Sequence, residues 1–180
     1  MPKPIKLIVA TDQNGGVGLN NQLPWSFKSD MQHFRAVTTQ TKDPSKQNAV
    51  IMGRKTWDSI PVKFRPLADR INVVISRQTN LNLPEAVLAF QDPIQAIQAL
   101  QDNPMVESIF CTGGAQLYEF YLEHNLISEI YLTLIETAFK TDKQLPLDLS
   151  EFTQHLNFRQ LDFDRISSNS HTLHYQVHRK

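Results

Sequence analysis

The chain has 180 residues, of which 18 are lysine or arginine and 18 are aspartate or glutamate, so its formal net charge is zero. This balance excludes a strongly basic surface of the kind that drives non-specific binding to nucleic acid or to an anionic membrane. The length and an apolar share of 41% are typical of one domain with a sizeable core, which we expect to cover residues 1–180.

The single cysteine indicates a reducing compartment, and the hydropathy predicts neither a signal peptide nor a membrane span. Cys111 is the only cysteine in the sequence, so an internal disulfide is excluded. Residues 1–10 have neither the long apolar run nor the small-residue cleavage site of a signal peptide. No apolar run approaches the length of a membrane span. We therefore expect a soluble cytoplasmic protein.

The first predicted elements are a buried strand and a long loop. Residues 5–10 are a short apolar run, as in a strand that is buried on both faces. Residues 11–22 contain three glycines and three asparagines and are unusually long for a connection in a compact domain. Such loops are often lids or binding loops. We predict a lid rather than a flexible connector, because the loop runs directly into Trp25 and Asp30.

Residues 23–34 leave the glycine-rich loop, turn at Pro24 and enter a predicted amphipathic helix that carries an acid beside an apolar stripe. Met31, Phe34 and Val37 recur at helical spacing, and Asp30 projects over the edge of the stripe that they form. A carboxylate in such surroundings is unfavourable to bury unless a polar partner meets it. The acid either complements the helix dipole in the first turn or is the charged group of a dry pocket for a ligand with paired N–H donors.

A second predicted strand ends in groups that suit an anion. Residues 49–52 are apolar and run into Gly53, Arg54, Lys55 and Thr56 at the start of a helix. Free backbone N–H groups, two cations and a hydroxyl could converge there on a phosphate. The alternative is a solvated helix start.

A third predicted strand ends in a similar way. Residues 71–75 are apolar and are followed by Ser76 and Arg77. Open α/β sheets bind their ligands at the carboxyl ends of strands, and an arginine suits a phosphate monoester by bidentate contact. The alternative is a surface arginine.

The middle of the chain predicts a strand at residues 86–90, a helix at 93–101 with Asp92 as its cap, and a strand at 108–112. The last of these runs into Gly113 and Gly114. Glycines at a strand-to-helix turn let the backbone approach a ligand closely, although a tight turn alone would also explain them.

The last predicted elements differ from the rest. Residues 129–135 predict a strand with Thr133 in its middle, which either bonds the local backbone or faces a pocket. Up to this point strands alternate with helices, which favours a mostly parallel sheet. Residues 158–166 and 172–178 predict a C-terminal hairpin with one wet face that carries His174, Gln176 and His178. The histidines lack the spacing of metal ligands, so we predict no metal.

In this order, the segments together resemble dihydrofolate reductase over nearly the whole chain. The matching features are Gly-Val-Gly-Leu-Asn-Asn-Gln-Leu-Pro-Trp, Asp30 followed by Phe34, Val-Ile-Met-Gly-Arg-Lys-Thr-Trp, Arg-Pro-Leu-Ala-Asp-Arg-Ile-Asn-Val-Val-Ile-Ser-Arg, Gly-Gly-Ala-Gln-Leu-Tyr and Tyr-Leu-Thr. The resemblance implies a single-domain α/β fold, with a mostly parallel central sheet flanked by helices and a C-terminal antiparallel hairpin. It also implies a monomeric enzyme that reduces 7,8-dihydrofolate to 5,6,7,8-tetrahydrofolate by hydride transfer from NADPH to the pterin.

The resemblance assigns the central role to Asp30. The pterin presents an amino group beside a ring N–H, and a carboxylate meets that edge with two parallel hydrogen bonds. Thr133 matches the threonine that supports the acid, and a water near Trp25 and Leu23 would deliver the proton. Burial is expected to raise the pKa of Asp30 by about one to two pH units.

The remaining substrate residues are implied by the same resemblance. The pterin pocket would be lined by Ile8, Val9, Ala10, Met31, Phe34 and Thr112. Ile60 and Leu67 would contact the benzoyl group, and Arg70 would pair with the glutamate carboxylate.

The resemblance also implies where NADPH would lie. The pyrophosphate would be held by Gly53, Arg54, Lys55 and Thr56, and the 2′-phosphate by Ser76 and Arg77. The nicotinamide would lie under the lid, against Ala10, Val17 and Gly18. The segment that passes over the cofactor would consist of Gly113, Gly114, Ala115, Gln116, Leu117 and Tyr118. The bond between Gly113 and Gly114 is cis in the family.

Some residues depart from the family pattern, and other functions remain open. Ala115 stands where many relatives carry glycine, Gln116 where some carry a basic residue, and the pair Ser26 and Phe27 after the tryptophan is unusual. The nearest rival enzyme is the riboflavin-pathway reductase, which shares the fold and cofactor and would need phosphate-binding groups on the substrate side. A module that binds NADPH or folate without catalysis is the rival from another class.

Overall fold

An eight-stranded sheet runs through the structure, a computed structural model that describes residues 1–145 and 147–180. Two further short strands pair with each other beside it. In chain order the strands are β1 Ile5–Asp12, β2 Gly16–Gly18, β3 Gln47–Gly53, β4 Arg70–Ile75, β5 Leu88–Phe90, β6 Val106–Cys111, β7 Glu129–Ile135, β8 Lys143–Gln144, β9 Thr153–Asp164 and β10 Asn169–Arg179.

The order of the main sheet is β5-β4-β3-β6-β1-β7-β10-β9. All pairs from β5 to β7 are parallel, and the pairs of β10 with β7 and with β9 are antiparallel. This confirms the predicted fold class: a mostly parallel sheet whose last two strands form an antiparallel hairpin. Parallel strands need crossover connections, and helices supply most of them.

Within residues 1–145 and 147–180, four helices connect the parallel strands, together with a 3-10 turn at Val62–Phe64. The helices are α1 Lys28–Thr39, α2 Arg54–Ser59, α3 Pro93–Asp102 and α4 Ala115–Glu123. The Asp92 carboxylate accepts a hydrogen bond from the Ile94 N–H, and a proline follows it in the first turn, so the predicted cap of α3 is confirmed. Among the described residues, no helix is both long and apolar enough to cross a membrane.

Buried side chains cover both faces of the sheet. On one face, strand residues such as Leu7, Ile109 and Ile130 pack with Leu100 of α3 and Tyr121 of α4. On the other face, a smaller cluster is formed by Ile8, Val50, Met52, Trp57, Val74, Val87 and Phe110. Alternate residues of a strand point to opposite faces, so near-continuous apolar runs fill both layers.

The predicted lid is more ordered than a simple loop. β2 lies within residues 11–22 and pairs with β8, and Leu19 forms a bridge with Gln22. The pairing partner is more than a hundred residues away in the chain, so no local pattern predicts it.

The predicted wet face of β10 is wrong at one position. His174 and Gln176 are partly exposed, but His178 is only 6% exposed and its Nε2 lies 3.0 Å from the Gln176 Oε1. The strand lies between β7 and β9, so its second face is not fully open to solvent.

Candidate active site

One large cleft opens along the carboxyl ends of β1, β3, β4 and β6. Ala10, Gly53, Ser76 and Thr112 mark these four strand ends on its wall. The cleft has a volume of about 1380 Å³. Ligand pockets usually hold roughly 300–1,000 Å³, so this one has room for two ligands side by side.

Every site residue named from the sequence lines this cleft. The members are Ile8, Val9, Ala10, Val17, Gly18, Leu23, Trp25, Asp30, Met31, Phe34, Gly53, Arg54, Lys55, Thr56, Ile60, Leu67, Arg70, Ser76, Arg77, Thr112, Gly113, Gly114, Ala115, Gln116, Leu117, Tyr118 and Thr133. The structure therefore brings them together, while the role given to each of them stays a prediction.

Asp30 lies in the first turn of α1 and is partly exposed to the cleft. Burial raises its pKa from 3.8 to about 6, against a hydrogen bond from the Thr133 side chain, which lowers it, and the charge of Asp162 raises it further. The carboxyl group therefore changes its charge close to neutral pH, as groups in catalytic sites often do.

Trp25 and Tyr118 form the polar surroundings of this part of the cleft. Trp25 is 2% exposed, and its indole N–H has no acceptor in the described part of the chain. It is therefore a donor available to a molecule in the cleft. The Tyr118 hydroxyl donates to the carbonyl oxygen of Ile8 at 2.8 Å.

The apolar stripe of α1 is divided between the cleft and the core: Met31 and Phe34 line the cleft, while Phe34 and Val37 pack against the smaller core cluster. Met31 is 57% exposed, and Phe34 and Val37 are only partly buried. Thr38 is the buried residue of this helix in place of an apolar one, with its hydroxyl donating to the Phe34 carbonyl. The helical spacing thus predicts the stripe, and only its first part, at Met31 and Phe34, borders the open cleft.

The raised pKa of Asp30 predicts a stability effect. Between about pH 4 and pH 6 the native state binds more protons at this group than the unfolded state, so the contribution of Asp30 to stability falls as the pH rises through this range. Asp30→Asn removes that loss and should raise the free energy of unfolding at pH 7 by about 1–3 kcal/mol. Urea titrations at pH 4 and pH 7 test this.

The gain in the free energy of unfolding should be absent at pH 4, where the side chain at position 30 is neutral in the folded state of both the wild type and the Asp30→Asn variant. Asp102→Asn, which removes an exposed acid from the end of α3, should show no such pH dependence. A less stable Asp30→Asn variant at neutral pH would contradict the assigned cause.

The end of the cleft next to the amino end of β4 is cationic. The Arg70 guanidinium donates to the Ala68 carbonyl from Nε at 2.8 Å and to the Thr38 hydroxyl from Nη1 at 2.9 Å. Its carbon Cζ lies 5.9 Å from the centre of the Phe34 ring. These contacts hold a half-buried cation in one orientation, as bidentate recognition of a carboxylate requires.

Two more cations at this end were missed from the sequence. Arg35 lies 3.5 Å from Asp69 in an exposed ion pair, and the Lys63 amine lies 4.8 Å from the centre of the Phe64 ring. Arg35 directly follows Phe34 of the apolar stripe, so it borders the same helix face. This position in the sequence could have identified it as a residue of the cleft.

The opposite end of the cleft carries the groups predicted for an anion. Arg54 pairs with Asp58 at 3.2 Å, one turn on in α2. Lys55 and Arg77 are exposed and have no ion-pair or hydrogen-bond partner in the residues that the structure describes. Two cations are therefore available there for a phosphorylated ligand.

Glycines let two strand ends approach each other between the two halves of the cleft. Gly113 has φ +107°, and a Cβ at this position would lie 3.2 Å from the Tyr118 ring. A Cβ on Gly114 would lie 3.4 Å from the Thr56 hydroxyl. The peptide bond between the two glycines is cis, as the resemblance implies.

Two acids anchor the predicted lid. The buried Asp12 carboxylate accepts from the N–H groups of Asn14 and Gly16 at 2.9 and 2.7 Å, and from that of Phe139 at 2.9 Å. Farther along, the Asn20 N–H donates to Asp142 at 2.9 Å. The lid is thus fastened at its base and along its length to residues that precede the C-terminal hairpin.

Comparisons with known proteins give a consistent result. A family model described as dihydrofolate reductase matches residues 4–179. A dihydrofolate reductase of Heliothis virescens is 39% identical over 152 residues, 82% of each chain. One from Aedes albopictus is 31% identical over 182 residues, 99% of this chain and 98% of the relative. One from Candida albicans is 38% identical over 160 residues, 86% of this chain and 82% of the relative.

Proposed function

Because this chain belongs to the dihydrofolate reductase family, we propose that it reduces 7,8-dihydrofolate to 5,6,7,8-tetrahydrofolate with NADPH, and that Asp30 orients and polarises the pterin. The observation that carries the proposal is one carboxyl group in an apolar cleft, with a pKa raised to about 6, placed between a cationic substrate end and a phosphate-binding end.

Asp30 is suited to hold the pterin. When ionised, it offers two acceptor oxygens to the amino group and the ring N–H of the pterin, a pairing that fixes both position and plane. Thr133 donates to the same carboxyl group and so restricts its rotation. The ring would then lie against Ile8 and Phe34 on the apolar walls of the cleft.

Protonation completes the reduction. The hydride goes to the carbon of a ring C=N bond and a proton to its nitrogen, so each turnover consumes one proton. We propose that a water near Trp25 and Leu23 delivers it, with the unpartnered Trp25 N–H as one of its contacts. A neutral Asp30 helps this step, so the rate should fall as the pH rises above about 6.

The residues at the other end of the cleft fit NADPH, which supplies a hydride when bound. Lys55, Thr56 and the N–H groups of Ala115 and Gln116 in the first turn of α4 would hold the pyrophosphate. Ser76 and Arg77 would hold the 2′-phosphate, which NADH lacks. Gly113 and Gly114 leave space for the backbone to approach the ligand.

The lid residues would complete the site. Val17 and Gly18 line the cleft next to Ala10, and their segment is fastened by Asp12 and Asp142. We propose that the lid covers the reacting atoms and excludes bulk solvent from them, apart from the water that delivers the proton.

Arg70→Ala should raise the KM for dihydrofolate about tenfold and change kcat little. The expected loss is that of a charge-assisted contact to the glutamate carboxylate, which is remote from the reacting bond. Steady-state kinetics with dihydrofolate, and with dihydropteroate as a substrate that lacks glutamate, measure this. An equal loss with both substrates would show that Arg70 does not recognise the glutamate.

A steady-state assay tests the proposed function. The loss of reduced-nicotinamide absorbance on adding dihydrofolate should be rapid with NADPH and much slower with NADH. Tight binding of both ligands without turnover would instead favour a binding module. Cytoplasmic location and the monomeric state stay predictions from the sequence.

A further inference from the structure

The segment that leads into α1 is held by two acids of the edge strand β9. Asp164 accepts from the Ser26 N–H at 2.8 Å, and Asp162 accepts from the Ser29 N–H at 2.9 Å. The partners are 138 and 133 residues apart in the chain. The C-terminal hairpin therefore fixes where this helix begins.

α1 has no cap of its own. Its cap position is Phe27, whose side chain cannot accept a hydrogen bond, so the first N–H groups of the helix need partners from elsewhere. The Asp162 carboxylate supplies one, and a negative charge is favourable at this end of a helix. Asp30 is the next residue along, so the same contact fixes the turn that carries it.

A directed chain of hydrogen bonds extends from this contact. The Ser29 Oγ lies 2.6 Å from the Asp162 Oδ2 and 2.8 Å from the Tyr175 Oη. An ionised carboxylate only accepts, so the single hydroxyl proton of Ser29 goes to Asp162 and the Tyr175 hydroxyl must donate to Ser29.

The charge states support this direction. Burial acts to raise the pKa of Asp162, but hydrogen bonds from Ser29 and the Phe163 N–H, with the charge of Arg165, together lower it below its usual value. Burial raises the pKa of Tyr175 to about 12, against the hydrogen bond with Ser29. Asp162 is therefore ionised and Tyr175 protonated over the range in which Asp30 titrates.

Among the described residues, Tyr118 of α4 and Tyr175 of β10 also lie close enough to Asp30 for its charge to act on them. Burial raises the pKa of Tyr118 well above the usual value, so it stays neutral. His33 of α1 lies with its ring centre 4.4 Å from that of Tyr175, and burial lowers its pKa. Asp162 is thus the fixed charge that acts on the acid.

We propose that Asp162 is a positioning residue for the reduction, which through Ser29 and Tyr175 holds the first turn of α1 so that Asp30 points at the bound ring. This inference rests on the proposed reduction of dihydrofolate. The fixed negative charge of Asp162 has a second effect, because a neighbouring like charge keeps Asp30 protonated to higher pH.

Asp162→Asn tests the effect of the charge, because it removes the charge and keeps an acceptor for the Ser29 N–H. Ser29→Ala, which removes the hydroxyl between Asp162 and Tyr175, tests the positioning. In Asp162→Asn, the midpoint of the fall in kcat/KM with rising pH should move down by about half a pH unit. At pH 7 the variant should be about threefold slower than the wild type, and at pH 5 the two should agree. The Kd for NADPH should not change. Asp102→Asn, with the same change of charge on an exposed acid, should keep the wild-type profile.

An NMR titration of the Asp30 carboxyl carbon gives the same shift without turnover. Superimposable titration curves and pH profiles for the variant and the wild type would overturn the inference, as would an equal loss of activity at every pH, which is the result of a merely structural role. Should Asp162→Asn fail to fold, Ser29→Ala is the test: a lower kcat with unchanged NADPH binding supports the inference, and wild-type kinetics overturn it. A wild-type protein that does not reduce dihydrofolate would refute the proposed function instead.

Discussion

Replacing Asp30 by asparagine is expected to lower kcat for dihydrofolate at pH 7 by about 100-fold or more. An amide offers one acceptor and one donor where the pterin edge needs two acceptors, so one N–H of the ring would face another N–H. The variant also cannot take up the proton that Asp30 binds with a pKa of about 6. The pH dependence seen in the wild type above about pH 6 should therefore disappear.

Absorbance assays over a range of pH, with fluorescence titration of NADPH, measure both effects. NADPH affinity should be unchanged, because Asp30 is not part of the end of the cleft that carries Lys55 and Arg77. The variant should also be more stable at neutral pH, so a loss of activity cannot be assigned to unfolding. Wild-type rates in the asparagine variant would refute the role given to this acid.

Arg77→Ala is expected to weaken NADPH binding by about 100-fold, or 2–3 kcal/mol, and to leave NADH binding nearly unchanged. The Arg77 guanidinium follows β4, is exposed to the cleft and has no partner in the part of the chain that the structure describes. A phosphate monoester would be its partner in the complex, and only NADPH carries one.

Equilibrium titration with both cofactors measures the ratio of the two affinities. Lys55→Ala provides the contrast, because a contact to the pyrophosphate should weaken NADPH and NADH alike. If Arg77→Ala lowered both affinities equally, this arginine would not be the residue that distinguishes the two cofactors.

The sequence predicts the parallel part of the fold well. Residues 129–135 match β7 at both ends, because the run is apolar and bounded by polar residues. The other parallel strands differ from their predictions by one or two residues at an end, where burial fades gradually. Residues 49–52, for example, lie within β3, which extends from Gln47 to Gly53.

The edge strand is the least predictable element. β9 begins at Thr153, five residues before the predicted start at residue 158, and nearly all of its side chains are exposed. Its apolar residues, Leu156 and Phe158 followed by Leu161 and Phe163, change phase along the strand, so no single alternation marks its length. Its length comes from pairing with β10, which is a property of the hairpin and not of the local sequence.

The candidate site divides in the same way. Residues at strand ends follow from the alternation of strands and helices, because parallel strands bring their carboxyl ends to one edge. Contacts between distant segments do not follow: the bonds of Asp162 to Ser29 and of Asp142 to Asn20 span 133 and 122 residues. A carboxylate in an exposed strand carries no local sign that it caps a helix elsewhere.

A crystal structure of the protein with folate and oxidised cofactor tests whether Asp30 holds the pterin. Both oxygens of the Asp30 carboxylate should accept hydrogen bonds, each of about 2.7–2.9 Å, from the amino group and ring N–H of the pterin. A carboxylate turned toward bulk solvent, or a pterin bound elsewhere in the cleft, would contradict this role of Asp30.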